Sequence, residues 1–200
     1  MTLRPRMDTT ETDSLDRRDM EQLVAGHEAA LNSLMERHAT GVFHFLCRML
    51  GNEDDANDLA QETFVRVYRA RDSYRPEQKL STWLFTIAAN LARNQFRWRS
   101  RHPTVSLDAE SATTDQSLGD TLPARGASPH EAADAAERAE GVRAAVQRLP
   151  DDMREVIVLC EWEDLSMAEA AAVLNTTAKA VESRLYRARN LLRERLRKWL

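Results

Sequence analysis

The sequence predicts an all-α protein made of two small helical domains joined by a flexible acidic linker. Apolar residues recur at three- and four-residue steps in both halves, and no β-alternation interrupts them. Between the halves, residues 102–128 are rich in Ser, Thr, Asp, Gly and Pro and hold no sustained apolar period. A stretch of roughly 25 residues without structure is too long for a loop inside one compact domain. The expected boundaries are a flexible tail over 1–19, a helical bundle over 20–101, a linker over 102–136 and a second helical domain over 137–200.

In the first domain, Leu23, Leu31, Leu34, Met35, Val42, Phe45, Leu46 and Met49 form one helical run, which Gly51 and Asn52 end. Asn52 can cap the next helix, whose inner face is Ala56, Leu59, Ala60, Thr63, Phe64 and Val67. A loop from Arg71 to Ser81 follows, and Ser81 or Thr82 can cap a third helix with Leu84, Ile87, Ala88 and Leu91 inside. In the second domain a helix ends near Leu149, and Pro150 separates it from the apolar helix Met153 to Trp162. Ser166-Met-Ala-Glu169 reads as a capping box heading a short helix to Leu174. After a turn at Asn175 and Thr176, Thr177 can cap a last helix from Ala178 to about Lys198. Short helix, tight turn and longer basic helix are the helix-turn-helix order.

Composition excludes several classes. Cys47 and Cys160 lack the spacing of a disulfide scaffold or zinc ribbon, so a reducing cytoplasm is expected. The N-terminal 15 residues hold no apolar core of a signal peptide, and no run nears the ~18 apolar residues of a membrane span. Membrane insertion is not expected. The net charge of −4 conceals a division by position: −7 over residues 1–62, +7 over 63–103, −6 over 104–141, −4 over 142–177 and +6 over 178–200. Two basic blocks stand in acidic surroundings.

The first basic block contains the third helix. Opposite its apolar face Thr86, Asn90, Arg93, Asn94 and Arg97 recur at helical steps, Arg99 and Arg101 extend the stripe, and Trp83, Phe85, Phe96 and Trp98 are interleaved. Arginines neutralise phosphates, amides bond base edges and aromatics stack on unpaired bases, a combination suited to a melted strand. The competing reading is a solvated cationic face with half-buried core aromatics. Tyr74, in the preceding loop, sides with the functional reading. The second basic block is the last helix, with Lys179, Glu182, Ser183, Arg184, Tyr186 and Arg187 near its start, where a helix-turn-helix enters the major groove.

No catalytic machinery is expected, and no cofactor or metal. Glu53, Asp54, Asp55 and Asp58 suit a helix start without an ion. His44 and Cys47 lack the further ligands zinc requires, and neither a Gly-rich phosphate loop nor a G-x-S-x-G is present.

Two segments resemble a known family. Asp58-Leu-Ala-Gln-Glu-Thr-Phe64 with Ser81-Thr-Trp-Leu-Phe-Thr-Ile-Ala-Ala-Asn90-Leu-Ala-Arg-Asn94 resembles region 2 of the bacterial extracytoplasmic-function sigma factors, in the sigma-seventy family. Asp164-Leu-Ser-Met-Ala-Glu-Ala-Ala-Ala-Val-Leu174 with Val181-Glu-Ser-Arg-Leu-Tyr-Arg-Ala-Arg189 resembles region 4. The resemblance spans about residues 20–101 and 137–199. It implies a non-enzymatic subunit that directs core RNA polymerase to promoters in a stress or envelope response, under an anti-sigma factor.

By motif position, Asp58, Gln61, Glu62 and Arg66 would dock on the clamp helices of the largest catalytic subunit, and region 4 on the flap of the second large subunit. Tyr74, Trp83, Asn90, Arg93, Asn94 and Arg97 would bind the minus-ten element. Lys179, Glu182, Ser183, Arg184, Tyr186 and Arg187 would read the minus-thirty-five element. Glu182 departs from the Lys or Arg usual there and leaves the minus-thirty-five sequence open. The alternative is a free-standing helix-turn-helix regulator whose N-terminal domain senses or dimerises.

Overall fold

The computed structural model describes residues 9–102 and 129–199. Among them it contains eight α-helices and no strand: α1 (Thr9–Val24), α2 (Ala29–Leu50), α3 (Glu53–Arg69), α4 (Leu80–Arg101), α5 (Pro129–Gln147), α6 (Asp151–Glu161), α7 (Met167–Leu174) and α8 (Ala178–Arg195). Short 3-10 turns lie at Arg71–Ser73 and Arg197–Trp199.

Local chemistry sets most of the boundaries. Gly51 takes the left-handed conformation (φ 68°) and returns its N–H to Cys47 O, ending α2. Asn52 then accepts from the Asp55 N–H at 2.8 Å and starts α3. Ser166 and Glu169 form the reciprocal capping box of α7, and Thr177 caps α8 through the Ala180 N–H at 3.2 Å. Asn175, left-handed at φ 49°, closes α7. The third helix departs from its expected cap: α4 begins at Leu80 after an extended Lys79 with no side-chain cap, and Thr82 is a buried residue of the helix.

Two larger corrections concern the N-terminus. The single run from Leu23 to Met49 is two helices, because Gly26 at φ 93° breaks it. The stretch expected as a tail over 1–19 is helical from Thr9 on. Its acidic residues are not solvated: Asp16 and Asp19 are buried, held by Arg37 at 2.9 and 2.6 Å, while His38 Nε2 lies 2.8 Å from Asp16. The linker expected over 102–136 already gives way to α5 at Pro129, and residues 103–128 lie outside the described residues.

In the N-terminal domain α2 is central, packed by α1, α3 and α4. Phe45, fully buried, meets Phe85 edge-on with ring centroids 5.4 Å apart. In the C-terminal domain Val156, Leu159, Leu165, Val173, Val181 and Leu185 hold α6, α7 and α8 together. The two domains also touch. Their apolar residues join in one buried cluster, and α5, α6 and α7 pack on α2 and α4.

Candidate nucleic-acid interface

Helical period places the stripe of α4 opposite the core residues Leu84, Ala88, Leu91 and Ala92, so Asn90, Asn94 and Arg97 are exposed and Arg93 half-buried. The stripe is internally ordered. Arg93 Nη1 donates to Asn90 Oδ1 at 3.0 Å, and Arg97 Nη2 donates to Asn94 Oδ1. A guanidinium has no acceptor, so each arginine fixes the amide oxygen three residues earlier and leaves the amide N–H groups for another acceptor. An ordered row of donors between cations is the chemistry that grips an unpaired base beside its phosphate.

The preceding loop is propped from two sides. The Tyr74 ring packs on Trp83 at 5.5 Å and its hydroxyl donates to Gln78 O at 3.1 Å, while Arg17 of α1 donates to Pro76 O at 3.3 Å. Burial raises the Tyr74 pKa, so its hydroxyl stays a proton donor.

Not all of the expected stripe is available. Phe85 belongs to the core, and Phe96 lies under the Arg154 guanidinium at 5.6 Å. Arg99 is ion-paired with Asp55, which also accepts from Gln95 at 3.3 Å. The half-buried-core reading therefore holds for part of the aromatic set. Trp98 remains about half exposed, stacked on His102 at 5.0 Å.

On α8, Lys179, Glu182, Ser183 and Tyr186 are exposed beside Met167 along an open hollow at the helix-turn-helix, Arg187 is exposed outside it, and Tyr186 is 67% exposed. Arg184 is half-buried, 3.5 Å from Asp152 of α6. On α3, Asp58, Gln61 and Arg66 are exposed, and Glu62 accepts from Arg66 at 2.8 Å. Val65 adds an exposed apolar residue to that face. His44 and Cys47 are half-buried, and among the described residues no three His, Cys, Asp or Glu could hold a metal. Nor, among them, is any helix long and apolar enough to cross a membrane.

The sequence reading missed the residues that join the domains. Glu155 of α6 is 5% exposed and pairs with Arg93 at 2.7 and 3.3 Å. Burial raises its pKa even though Arg93 pulls the other way. Arg154, equally buried, donates to Met49 O of α2 at 2.9 Å and to Val146, Gln147 and Leu149 O at the end of α5. Desolvation lowers its pKa, against the carboxylates of Asp151 and Glu155. The Arg154–Glu155 pair directly before the apolar run Val156–Cys160 is the local hint of this role.

An amide–arginine stripe on one helical domain and a helix-turn-helix on the other define a two-domain DNA-binding protein of the transcription machinery. The family model "Sigma-70 region 2" matches residues 34–102, and "Sigma-70, region 4" matches residues 139–192. The chain belongs to the extracytoplasmic-function (ECF) branch of the sigma-70 family, and is thus an alternative sigma factor directing transcription initiation. It is 35% identical over 179 residues to the ECF RNA polymerase sigma factor SigW of Bacillus subtilis, covering 89% of this chain and 95% of that one. Among solved structures it is similar to CnrH in complex with the cytosolic domain of CnrY (29% identity, TM-score 0.68, 92% of this chain and 98% of that one). It is also similar to the sigma factor RpoE in complex with the anti-sigma factor NepR from Bartonella quintana (26%, 0.63, 83% and 96%). A region 2 match over residues 34–102 does not favour the reading as a free-standing regulator.

Proposed function

We propose that this sigma factor, without catalytic activity of its own, recruits core RNA polymerase in the cytoplasm and melts promoters through α4. The reading is carried by the exposed amides of Asn90 and Asn94, each oriented by an arginine. Tyr74, Trp83, Arg93 and Arg97 complete the minus-ten face. Asp58, Gln61, Glu62 and Arg66 dock on the clamp helices, and region 4 docks on the flap of the second large subunit. An anti-sigma factor, as NepR is for the similar sigma factor RpoE, holds the chain inactive until a stress or envelope signal.

Run-off transcription with purified core polymerase and a library of promoter templates tests this. Transcripts absent with core alone are expected. No initiation on any template, with tight duplex binding by the free chain, would return the regulator reading.

In the minus-thirty-five element, Ser183, Arg184, Tyr186 and Arg187 read the major groove with Lys179 nearby. Glu182 is exposed on the same turn, where a carboxylate repels phosphate but can accept from cytosine N4. Glu182→Lys is expected to tighten minus-thirty-five duplex binding about fivefold and to change the preferred base, within the 1–3 kcal/mol of one base contact. A binding-site selection checks this; unchanged affinity and preference would contradict it.

A further inference from the structure

Helix α1 precedes residues 34–102, the span matched by the region 2 model, and it is anchored like a strut. On its inner face Met20 and Leu23 lie in the core, and the buried carboxylates of Asp16 and Asp19 are held by Arg37 at 2.9 and 2.6 Å. These pairs fix α1 in rotation as well as in place, because turning it by one residue would take both carboxylates off Arg37. On the flanking face Asp13 and Arg17, one turn apart, reach the loop between Arg71 and Leu80. Arg17 Nε donates to Pro76 O at 3.3 Å, and Asp13 lies 3.7 Å from Lys79, whose ammonium also meets Glu169. At the other end of the loop, α1 packs on the 3-10 turn Arg71–Ser73.

The loop has little packing of its own. Between Arg71 and Leu80 every residue is exposed except Tyr74, which is half-buried. Holding such a segment in one shape costs backbone entropy that outside contacts must offset. We infer that α1 is a positioning helix for this loop, with Arg17 the positioning residue that sets how Tyr74 is presented to an unpaired base. This deepens, and rests on, the reading of Tyr74 as part of the minus-ten face. The contacts run in series. Pro76 has no N–H, so its carbonyl is the one backbone group by which the loop can be gripped there, and Arg17 takes it. Pro76 lies inside the turn closed by the Gln78 N–H on Arg75 O at 3.0 Å, and Gln78 O in turn receives the Tyr74 hydroxyl. Beside burial, the charges that act on the Tyr74 phenol are those of Asp16, Arg17, Asp13 and Glu21, all on α1.

Two measurements on the full chain test this. Amide hydrogen exchange over residues 71–79 reads the loop itself. Capture of a promoter template whose minus-ten element is already unpaired, by the assembled holoenzyme, reads the consequence. Arg17→Ala is expected to speed exchange over 71–79 and to weaken capture about fivefold, the scale of one oriented hydrogen-bonded contact. Arg17 is exposed, so Tm and minus-thirty-five duplex binding should stay as in the unchanged protein. Arg17→Lys, which can still donate to Pro76 O, should restore capture to within about twofold. Because Arg17 acts through Tyr74, the double variant Arg17→Ala with Tyr74→Ala should capture the template no worse than Tyr74→Ala alone.

Additive losses would mean that Arg17 meets the DNA itself and would overturn the inference, as would unchanged exchange over 71–79. Normal capture by Arg17→Ala where Tyr74→Ala is impaired overturns it too. If exchange quickens but both single variants capture normally, α1 still positions the loop, and it is the minus-ten reading of Tyr74 that fails.

Discussion

Asn90→Ala is expected to lower the rate of open-complex formation by the assembled holoenzyme about 10- to 100-fold, while minus-thirty-five duplex binding stays as in the unchanged protein. Asn90 is exposed and its oxygen already accepts from Arg93, so what the substitution removes is an outward pair of amide donors. Donor contacts to one base edge are worth about 1–3 kcal/mol, and 1.4 kcal/mol is a factor of ten. No core atom is lost, and the Arg93–Glu155 pair survives, so the fold should not change.

Asn90→Asp is the sharper comparison, because it keeps an oxygen for Arg93 but replaces the donors by charge. It should be at least as damaging. Permanganate footprinting reports melting directly, and a template with the minus-ten element already unpaired separates capture of the base from opening of the duplex. Wild-type melting by Asn90→Ala would remove Asn90 from the minus-ten face.

What could be read without coordinates follows how local each interaction is. Caps act over three residues, and the Asn52, Ser166–Glu169 and Thr177 caps stand where the sequence puts them. The amide–arginine stripe was legible for the same reason, since its members are one helical turn apart. Phase alone could not reveal the break at Gly26, because Leu23 and Leu31 keep helical register across it while the backbone turns at φ 93°. Asp16 and Asp19 fall within the expected flexible tail because the Arg37 that holds them lies 21 and 18 residues away.

The aromatic positions were mixed for another reason. Trp83, Phe85, Phe96 and Trp98 share a segment of helix, and only the packing of Phe45 on Phe85 and of Arg154 on Phe96 tells core from surface. The contact between the domains was the least legible feature. Arg93 and Glu155 are 62 residues apart, and nothing local to either marks it as the other's partner.

Arg154→Met is expected to destabilise the C-terminal domain by about 3 kcal/mol, near the lower end of what breaking a buried, hydrogen-bonded charge costs. The reason lies in what the guanidinium does. It sits at the C-terminal ends of two helices, α5 and α2, where carbonyls lack partners within the helix and the dipole favours a cation. It donates to four carbonyls in all and covers the Phe96 ring. Methionine matches the stem but donates nothing, so several buried carbonyls lose their donor at once.

For a domain of 60–100 residues each kcal/mol moves Tm by roughly 4–8 °C, so a fall of roughly 12–24 °C should appear in thermal melts followed by circular dichroism. Arg154→Lys should recover less than half of the loss. A point ammonium cannot span carbonyls that a planar five-donor fork reaches from α6 to both helix ends. Full recovery by lysine would mean that charge at the helix ends, and not the fork, stabilises this junction.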